Sequence, residues 1–262
     1  MDRLYDTIFV RSPSDNYANC ESSNPERDSI DVTLAKRQHK NYVSILKEVK
    51  NLRVIELPPL YDLPDSVFAT DPAILGVKTC TVCRFGLASR RRENQALFDD
   101  LLNYGDVVGK IRRVEEPGTL EGGDILVTRN QIFVGESTRS NLQGMQQLAK
   151  YNRLRVQPIR SKTFHLLCGC SYLDGRKILL APSLLSPKLF PGFEFVLVPA
   201  DETYAAEALH LGENKVMMPT GYPKTVNHLR RAGYRPIEID ISEFWKGDGG
   251  ISCLSAPVYK TL

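Results

Sequence analysis

The chain has 262 residues, of which 42% are hydrophobic and 25% charged, and its 34 basic and 31 acidic residues give a formal net charge of +3. This composition is typical of a globular protein with a full core. The near-neutral charge, with no basic run longer than residues 90–92, argues against a nucleic-acid partner. No apolar run approaches the roughly 18 residues needed to cross a membrane, and the first residues lack a signal-peptide core. We therefore expect a single cytoplasmic domain over residues 1–262, monomeric or homodimeric, with no membrane partner.

The N-terminal part of the chain predicts two strands that flank one helix. Residues 7–11 and 52–57 are short apolar segments of the kind that form strands. Between them, apolar side chains recur at helical spacing from residue 30 to residue 50. Residues 12–25, which include Cys20, are polar and turn-forming, so they predict a loop that is a candidate lid.

Beyond residue 57, a pattern of two strands, a helix and a third strand is repeated. The two strands of each hairpin are joined by turn-forming residues, for example Asp174-Gly175-Arg176. The candidate hairpins occupy residues 73–83, 125–134, 170–180 and 209–218. The candidate helices occupy residues 94–104, 141–151 and 222–232, with a shorter one at 182–190, and the third strands occupy 107–113, 154–158, 193–198 and 236–240.

The repeat has a measurable period. Its units begin at positions spaced by 50, 44, 44 and 44 residues, namely Asp71, Glu121, His165, Leu209 and Cys253. Repeats of this length are typical of solenoids, propellers and other arrayed folds. The chain ends within the fifth hairpin, so strand 7–11 is the candidate for its missing partner, which would close the array and protect its edge strands. We therefore predict an α/β fold of five strand-strand-helix-strand units around a central axis.

Three of the unit heads form a candidate catalytic group. A cysteine and a histidine can act as a nucleophile and its proton carrier, and a carboxylate that orients the histidine completes a triad. Cys253, His165 and Glu121 fit these roles, and a ring would bring them together at its axis. The alternative is structural, because free cysteines and isolated histidines are commonly buried in protein cores.

Further charged residues are expected near the same axis. Asp71 and Asp248 would suit a planar cation such as guanidinium, which carboxylates hold by parallel hydrogen bonds. Arg90 and Arg139 follow the first and second hairpins and are candidates for holding a substrate carboxylate. The alternatives are loop capping for the two aspartates and a solvated surface position for the two arginines.

Glycines accompany two of these candidate positions. In the segment Glu121-Gly-Gly-Asp124 we expect the glycines to permit close backbone approach, and Asp124 to brace the turn. Around Asp248 and Cys253, we expect the glycines at 247, 249 and 250 to adopt backbone conformations that other residues avoid.

The six cysteines do not form a disulfide scaffold in a chain of this length. Cys80-x-x-Cys83 together with Cys168-x-Cys170 is an alternative zinc site. We disfavour it because Cys80 and Cys83 lie in an apolar alternating segment and the second spacing is not a common ligand pair. We therefore expect no metal and no organic cofactor.

Taken together, the motifs resemble those of the dimethylarginine dimethylaminohydrolases, which belong to a superfamily of guanidine-modifying enzymes that includes arginine deiminases and amidinotransferases. The resemblance spans nearly the whole chain. It rests on the order and spacing of Leu63-Pro64-Asp65, Phe68-x-x-Asp71, Ser89-Arg90-Arg91, Leu120-Glu-Gly-Gly-Asp124, Phe133-Val-Gly135, Thr138-Arg139-x-Asn141, His165-Leu166 and Asp248-Gly to Cys253.

The resemblance implies a five-bladed α/β propeller that hydrolyses methylated arginine to citrulline through a covalent thiouronium intermediate. It implies that Cys253 attacks the guanidinium carbon, that His165 protonates the departing amine and then activates water, and that Glu121 orients His165. The remaining implied roles concern binding of the guanidino amino acid. The guanidinium is held by Asp71 and Asp248, the α-amino group by Asp65, and the α-carboxylate by Arg90 and Arg139.

The sequence departs from the family pattern at one position, where Thr70 replaces the glutamate that usually precedes the guanidinium-binding aspartate. The same chemistry on unmethylated arginine or another guanidine is therefore the alternative function. A third hypothesis is a non-catalytic ring of the kind that binds ribosomal subunits. It predicts that the cysteine, histidine and carboxylates are scattered or lost, whereas all of them are present.

Overall fold

The structure is a computed structural model that describes residues 3–160 and 163–262. The first half of the chain contains β1 (Tyr5–Arg11), α1 (Val32–Lys47), β2 (Arg53–Leu57), β3 (Ala73–Gly76), β4 (Thr79–Val82), α2 (Arg91–Leu101), β5 (Lys110–Arg113), β6 (Ile125–Val127) and β7 (Gln131–Glu136). The second half contains α3 (Leu142–Tyr151), β8 (Arg155–Arg160), β9 (Cys170–Asp174), β10 (Lys177–Leu180), β11 (Glu194–Leu197), β12 (Leu209–Gly212), β13 (Lys215–Pro219), α4 (Pro223–Arg231), β14 (Arg235–Ile239), α5 (Ser242–Trp245) and β15 (Ser255–Tyr259). The fold is thus mixed α/β.

The strands form five units with the same pairing. In each unit the first two strands are antiparallel and the third lies parallel to the second, as in β6-β7-β8, β9-β10-β11, β12-β13-β14 and β3-β4-β5. The fifth unit combines both ends of the chain, since β15 pairs with β1 and β1 with β2. The N-terminal strand is therefore the partner predicted for the last hairpin.

Two units are joined edge to edge. Val258 of β15 pairs in parallel with Leu75 of β3, which creates one six-stranded sheet in the order β2-β1-β15-β3-β4-β5. The other three units are separate three-stranded sheets. This pairing covers an edge of β15 that a free hairpin would leave open to other chains.

The first strand of every unit contributes to one interior cavity of about 80 Å³. Its lining includes Leu75, Leu126, Tyr172, Leu209 and Pro257. The largest group of buried apolar side chains packs between the sheets and α1, and includes Ile8, Tyr42, Leu46, Leu120 and Phe244. The turns that lead into the first strands therefore meet at one end of this interior.

The four longer helices lie within three residues of their predicted bounds. For example, α1 is Val32–Lys47 instead of 30–50 and α2 is Arg91–Leu101 instead of 94–104. The segment 182–190, predicted as a short helix, contains only a turn of 3₁₀ helix at Pro187–Leu189, where Pro187 supplies a fixed backbone angle but no N–H donor. Helix α5 was not predicted because its four residues are too few to display a period. Within residues 3–160 and 163–262, no helix has the length and apolar character needed to cross a membrane.

Candidate active site

One small cavity, of about 20 Å³, brings together seven of the eight residues singled out in the sequence. Its lining contains Asp65, Asp71, Arg90, Arg139, His165, Asp248 and Cys253, together with Glu21, Phe68, Phe164, Gly247 and Gly249. The eighth residue, Glu121, is fully buried and contacts two of these side chains from outside the cavity. Residues from distant parts of the chain converge because each unit delivers the turn before its first strand to the same end of the fold.

The repeat is visible in the backbone at two of these positions. Glu121 and His165 are both extended, with φ/ψ of −129°/139° and −130°/156°, and each immediately precedes a three-residue 3₁₀ helix. Leu209 departs from this arrangement because it already lies within β12. The polar side chain that the fourth unit directs towards the site is instead Glu207, two residues earlier.

His165 is held by Glu121. The Nε2 atom of His165 lies 2.9 Å from Oε2 of Glu121, and both side chains are buried. Burial alone would lower the pKa of His165, but the hydrogen bond to Glu121 and the charges of Asp71 and Asp124 outweigh it, so the pKa is raised. For Glu121, burial raises the pKa, but His165 and the neighbouring arginines lower it overall. The pair therefore favours an imidazolium beside a carboxylate.

Arg139 and Phe164 cover this pair. The guanidinium of Arg139 lies 3.6 Å from Oε1 of Glu121 and 4.7 Å from the centre of the Phe164 ring. The Phe164 ring is also 4.6 Å from the imidazole of His165, centre to centre. The predicted close backbone approach is confirmed at Gly123, because a Cβ atom there would come within 2.4 Å of Nδ1 of His165.

Asp124 forms a hydrogen bond to the segment that follows His165. Its Oδ1 accepts a hydrogen bond of 3.1 Å from the backbone N–H of Leu166, and its Oδ2 accepts one of 2.7 Å from the Ser137 hydroxyl. Asp124 therefore has a structural role, as predicted, but the turn that its side chain braces is the one after His165 and not its own.

The thiol of Cys253 lies against a buried carboxyl group. Its Sγ atom is 3.8 Å from Oε2 of Glu207. Burial raises the pKa of Glu207 to about 8, and burial together with Glu207, Asp71 and Cys168 raises the pKa of Cys253 well above its ordinary value. The sulfur therefore carries its proton at neutral pH. A bound cation would favour the thiolate.

Asp71 and Arg90 are linked by an ion pair. The Nη1 atom of Arg90 donates to Oδ2 of Asp71 at 3.2 Å, while Nε and Nη2 donate to the carboxylate of Glu93, each at 2.8 Å. All three side chains are buried. Because a guanidinium has five N–H donors, two remain available to a ligand. Oδ1 of Asp71 is buried without a hydrogen-bond partner, so it is free to bind a donor in the cavity.

The loop predicted as a candidate lid lies over the site. The backbone N–H of Glu21 donates to Oδ2 of Asp65 at 3.0 Å. The N–H and hydroxyl of Ser23 donate to Oδ2 of Asp248 at 2.6 and 3.0 Å. Two of the candidate binding carboxylates are therefore held by the loop, which places it at the entrance.

The reason given for the glycines near Cys253 was wrong. The residue in the left-handed conformation is Asp248, with φ of 58°, and the glycines at 247, 249 and 250 are not among the positive-φ residues. They are needed for space instead: a Cβ atom on Gly249 would lie 2.2 Å from the Phe68 ring, and one on Gly250 would lie 1.8 Å from Glu207.

Thr70, the residue that departs from the family pattern, is turned towards the backbone around Cys253. Its N–H donates to the carbonyl oxygen of Cys253 at 3.2 Å. Its hydroxyl is within hydrogen-bond distance of the carbonyl oxygens of Ser252, at 2.8 Å, and Ser255. Thr70 therefore anchors the turn that carries Cys253.

Sequence reasoning missed Glu207, Glu93, Phe68 and Phe164. An exact spacing of 44 residues placed the fourth unit head at Leu209, so Glu207 was overlooked by two positions. Glu93 has a local signal, since it lies three residues after Arg90 on the same helical face. Phe68 belongs to the motif Phe68-x-x-Asp71 but had no role assigned to it, and no sequence signal distinguishes Phe164 from ordinary core residues.

The cysteines give no support to the zinc alternative. All six thiols are free. In the part of the chain that the structure describes, no group of three or more His, Cys, Asp or Glu side chains is placed to hold a metal ion.

Together, the repeated α/β units and a cavity that joins a cysteine, a histidine–carboxylate pair and further acidic and basic side chains define a cysteine-dependent enzyme of the guanidine-modifying class. Comparisons with known proteins agree. The family model for eukaryotic N,N-dimethylarginine dimethylhydrolase matches residues 11–166. An N(G),N(G)-dimethylarginine dimethylaminohydrolase of Pseudomonas aeruginosa is 34% identical, over 96% of this chain and 99% of that protein. One from Streptomyces coelicolor is also 34% identical, over 94% of this chain and 95% of its own length.

A solved structure shows the same fold. The dimethylarginine dimethylaminohydrolase of Pseudomonas aeruginosa, as a cysteine-to-serine mutant complexed with citrulline, superposes with a TM-score of 0.87 and 32% identity, and the match covers 97% of this chain and 99% of that one. The chain belongs to the dimethylarginine dimethylaminohydrolase family.

Proposed function

We propose that the protein hydrolyses N-ω-methylated arginines to citrulline and the corresponding methylamine, with Cys253 as the nucleophile. The observation that carries this proposal is the single cavity shared by Cys253, His165 and the acidic residues Asp65, Asp71 and Asp248. A guanidinium is a weak electrophile because its charge is delocalised. It must be fixed by carboxylates and attacked by a strong nucleophile, and the cavity offers both.

In the first step, Asp71 and Asp248 hold the guanidinium while the Cys253 thiol releases its proton to solvent. The sulfur then forms a bond to the guanidinium carbon, which gives a neutral tetrahedral intermediate. The imidazolium of His165 donates its proton to the methylated nitrogen, the carbon–nitrogen bond breaks, and a neutral amine departs. A cationic thiouronium on Cys253 and a neutral His165 remain.

In the second step, neutral His165 removes a proton from a water molecule that attacks the thiouronium carbon. The carbon–sulfur bond then breaks and the hydroxyl proton of the adduct passes to the sulfur, which releases the neutral ureido product and restores both the thiol and the imidazolium of His165. Glu121 keeps the imidazole oriented and stabilises its charged form in the first step. Raising the pKa of His165 suits it to donate a proton near neutral pH.

The other candidate residues would bind the amino-acid end of the substrate. We assign the α-amino group to Asp65 and the α-carboxylate to Arg90 and Arg139. The two N–H groups of Arg90 that Asp71 and Glu93 leave unused support this role.

We further propose that the five units form the closed ring of an α/β propeller, which the shared cavity of their first strands supports. The cytoplasmic location and the monomeric or homodimeric state stay predictions from the sequence.

The test is to incubate the purified protein with asymmetric dimethylarginine, monomethylarginine and arginine, and to measure the ureido product and the released amine. We expect turnover of the methylated substrates, its abolition by Cys253→Ser, and its retention by the control Cys80→Ala, whose thiol lies in a separate core cluster. Mass spectrometry of quenched wild-type protein should detect the thiouronium on Cys253. Wild-type turnover by Cys253→Ser would show that the nucleophile is another residue.

Unmethylated arginine is the second candidate substrate, and Thr70 is the observation that favours it. A hydroxyl bound to backbone carbonyls leaves no carboxylate at this position to contact the guanidinium. Much faster turnover of arginine than of its methylated forms would favour this alternative while leaving the mechanism intact.

A further inference from the structure

A second cavity, of about 200 Å³, borders the candidate active site. It is lined by Ser23, Phe164, Cys168, Tyr204, Glu207, Trp245 and Asp248. Phe164 and Asp248 also line the first cavity. Glu207 joins the two sites as well, since its carboxyl group contacts Cys253 Sγ on one side and lines the second cavity on the other. The second cavity is therefore adjacent to the reacting atoms.

The chemistry of this lining suits a small organic cation. Three of the seven residues are aromatic (Phe164, Tyr204 and Trp245), two are acidic (Glu207 and Asp248), and none is a lysine or arginine. Aromatic faces attract cations through their quadrupole, most strongly where water is excluded, and they are the usual partners of alkylated ammonium groups. Asp248 supplies a compensating negative charge, and Glu207 adds a second one once its carboxyl group, whose pKa burial raises to about 8, is ionised.

We propose that this second cavity binds the alkylammonium ion formed from the leaving group of the reaction, with dimethylammonium as its preferred ligand. The proposal rests on the proposed function for the origin of the amine. The amine leaves neutral after taking one proton from His165, and takes a second proton from water to become the cation. Its exit through an aromatic and acidic compartment would draw it away from the thiouronium before water attacks.

The polarity of the cavity distinguishes this ligand from others. A cavity of about 10–15 Å³ by this measure is enough to hold one water molecule, so the space of about 200 Å³ is ample for an ion of three non-hydrogen atoms. The methyl groups would bury apolar surface against the aromatic rings, and ammonium and potassium ions have no such surface to bury. We therefore expect dimethylammonium to bind more tightly than ammonium.

The protein carries its own probe for this test, because Trp245 is its single tryptophan and lines the cavity. Tryptophan fluorescence should change in a saturable way when dimethylammonium chloride is added at constant ionic strength. Ammonium chloride should act only at clearly higher concentration, and sodium chloride should have no effect. A response that is linear and equal for all three salts would overturn the proposal.

Two matched variants locate the bound cation. Above pH 8, where the Glu207 carboxyl group is ionised, Glu207→Gln should weaken dimethylammonium binding by about tenfold, because a partly desolvated cation loses an adjacent carboxylate. Asp71→Asn should change it by less than about twofold, because Asp71 lines only the first cavity. The reverse order of effects would place the cation in the guanidinium site and overturn the proposal. If Glu207→Gln does not fold, inhibition of turnover by dimethylammonium provides the test. Trp245→Leu should be inhibited more weakly than the wild type, and equal inhibition of the two proteins would overturn the proposal.

The two proposals can fail separately. Saturable binding of dimethylammonium without turnover of any methylated arginine would support the second cavity and refute the proposed function. Turnover of methylated arginine without saturable binding of dimethylammonium would support the proposed function and refute the second cavity as a cation site.

Discussion

The hydrogen bond between His165 and Glu121 offers the sharpest test of the proposed chemistry. In Glu121→Gln, the amide has nearly the shape of the carboxylate and retains hydrogen-bonding capacity, but the negative charge is lost. Because burial by itself lowers the pKa of His165, the carboxylate is a principal reason that the pKa is raised. The variant should therefore have a less basic histidine in an almost unchanged position.

The size of the effect follows from the contact of 2.9 Å between two buried groups. A hydrogen bond to a charged group contributes about 1.5–3 kcal/mol, and one pKa unit corresponds to about 1.4 kcal/mol. Losing the charge should lower the pKa of His165 by about one to two units. Since His165 donates a proton only when charged, the fall of kcat at high pH should move to lower pH by the same amount.

The assay combines a pH–rate profile with NMR titration. The chain has four histidines, and burial lowers the pKa of His39 and His210 to about 4, so their ring signals are separated from that of His165. Comparison with the spectrum of His165→Gln assigns the remaining signal. Glu213→Gln, an exposed glutamate paired with Lys215, is the control. An unchanged pKa of His165 in Glu121→Gln would refute the reasoning.

Three further predictions concern buried contacts around the site. Gly123→Ala should reduce kcat by at least about tenfold and lower the free energy of unfolding by about 1–3 kcal/mol, because the added methyl group would lie 2.4 Å from Nδ1 of His165; steady-state kinetics and thermal unfolding measure both. Glu93→Ala should lower the free energy of unfolding by about 3–5 kcal/mol, because it leaves the buried charge of Arg90 without its two-bond partner; urea denaturation measures the change. Burial raises the pKa of Glu207 from 4.5 to about 8, so between these pH values the folded state binds a proton that the unfolded state has released. The free energy of unfolding of the wild type should therefore decrease as the pH rises through this range, and that of Glu207→Gln should decrease less. Melting temperatures at several pH values measure the difference.

Each of these predictions has an outcome that contradicts it. Full activity in Gly123→Ala would mean that the histidine is free to move. A loss of stability in Glu93→Ala no larger than that of Lys215→Ala, which breaks an exposed ion pair, would mean that the buried pair contributes nothing beyond surface charge. If the stabilities of the wild type and Glu207→Gln change in parallel between pH 4.5 and about 8, the Glu207 carboxyl group of the folded protein is ionised over that range and its pKa is not raised.

The sequence by itself determined the repeated architecture. Hairpins, helices and third strands follow from the local alternation of apolar residues and from turn residues such as Asp174-Gly175, because backbone pairing between neighbouring segments depends on local pattern. The spacing of 44 residues identified His165 and Cys253, and the interrupted last hairpin identified strand β1 as its partner.

Only the tertiary structure decided what surrounds those residues. Glu207 next to Cys253, and Thr70 on the carbonyl oxygens of the turn that carries Cys253, are contacts that no short-range pattern encodes. The glycines near Cys253 show the same limit, since they are required by the Phe68 ring and the Glu207 side chain, which approach from distant parts of the chain. Local pattern selects backbone conformation, whereas close packing between remote segments sets the charge, space and protonation of the site.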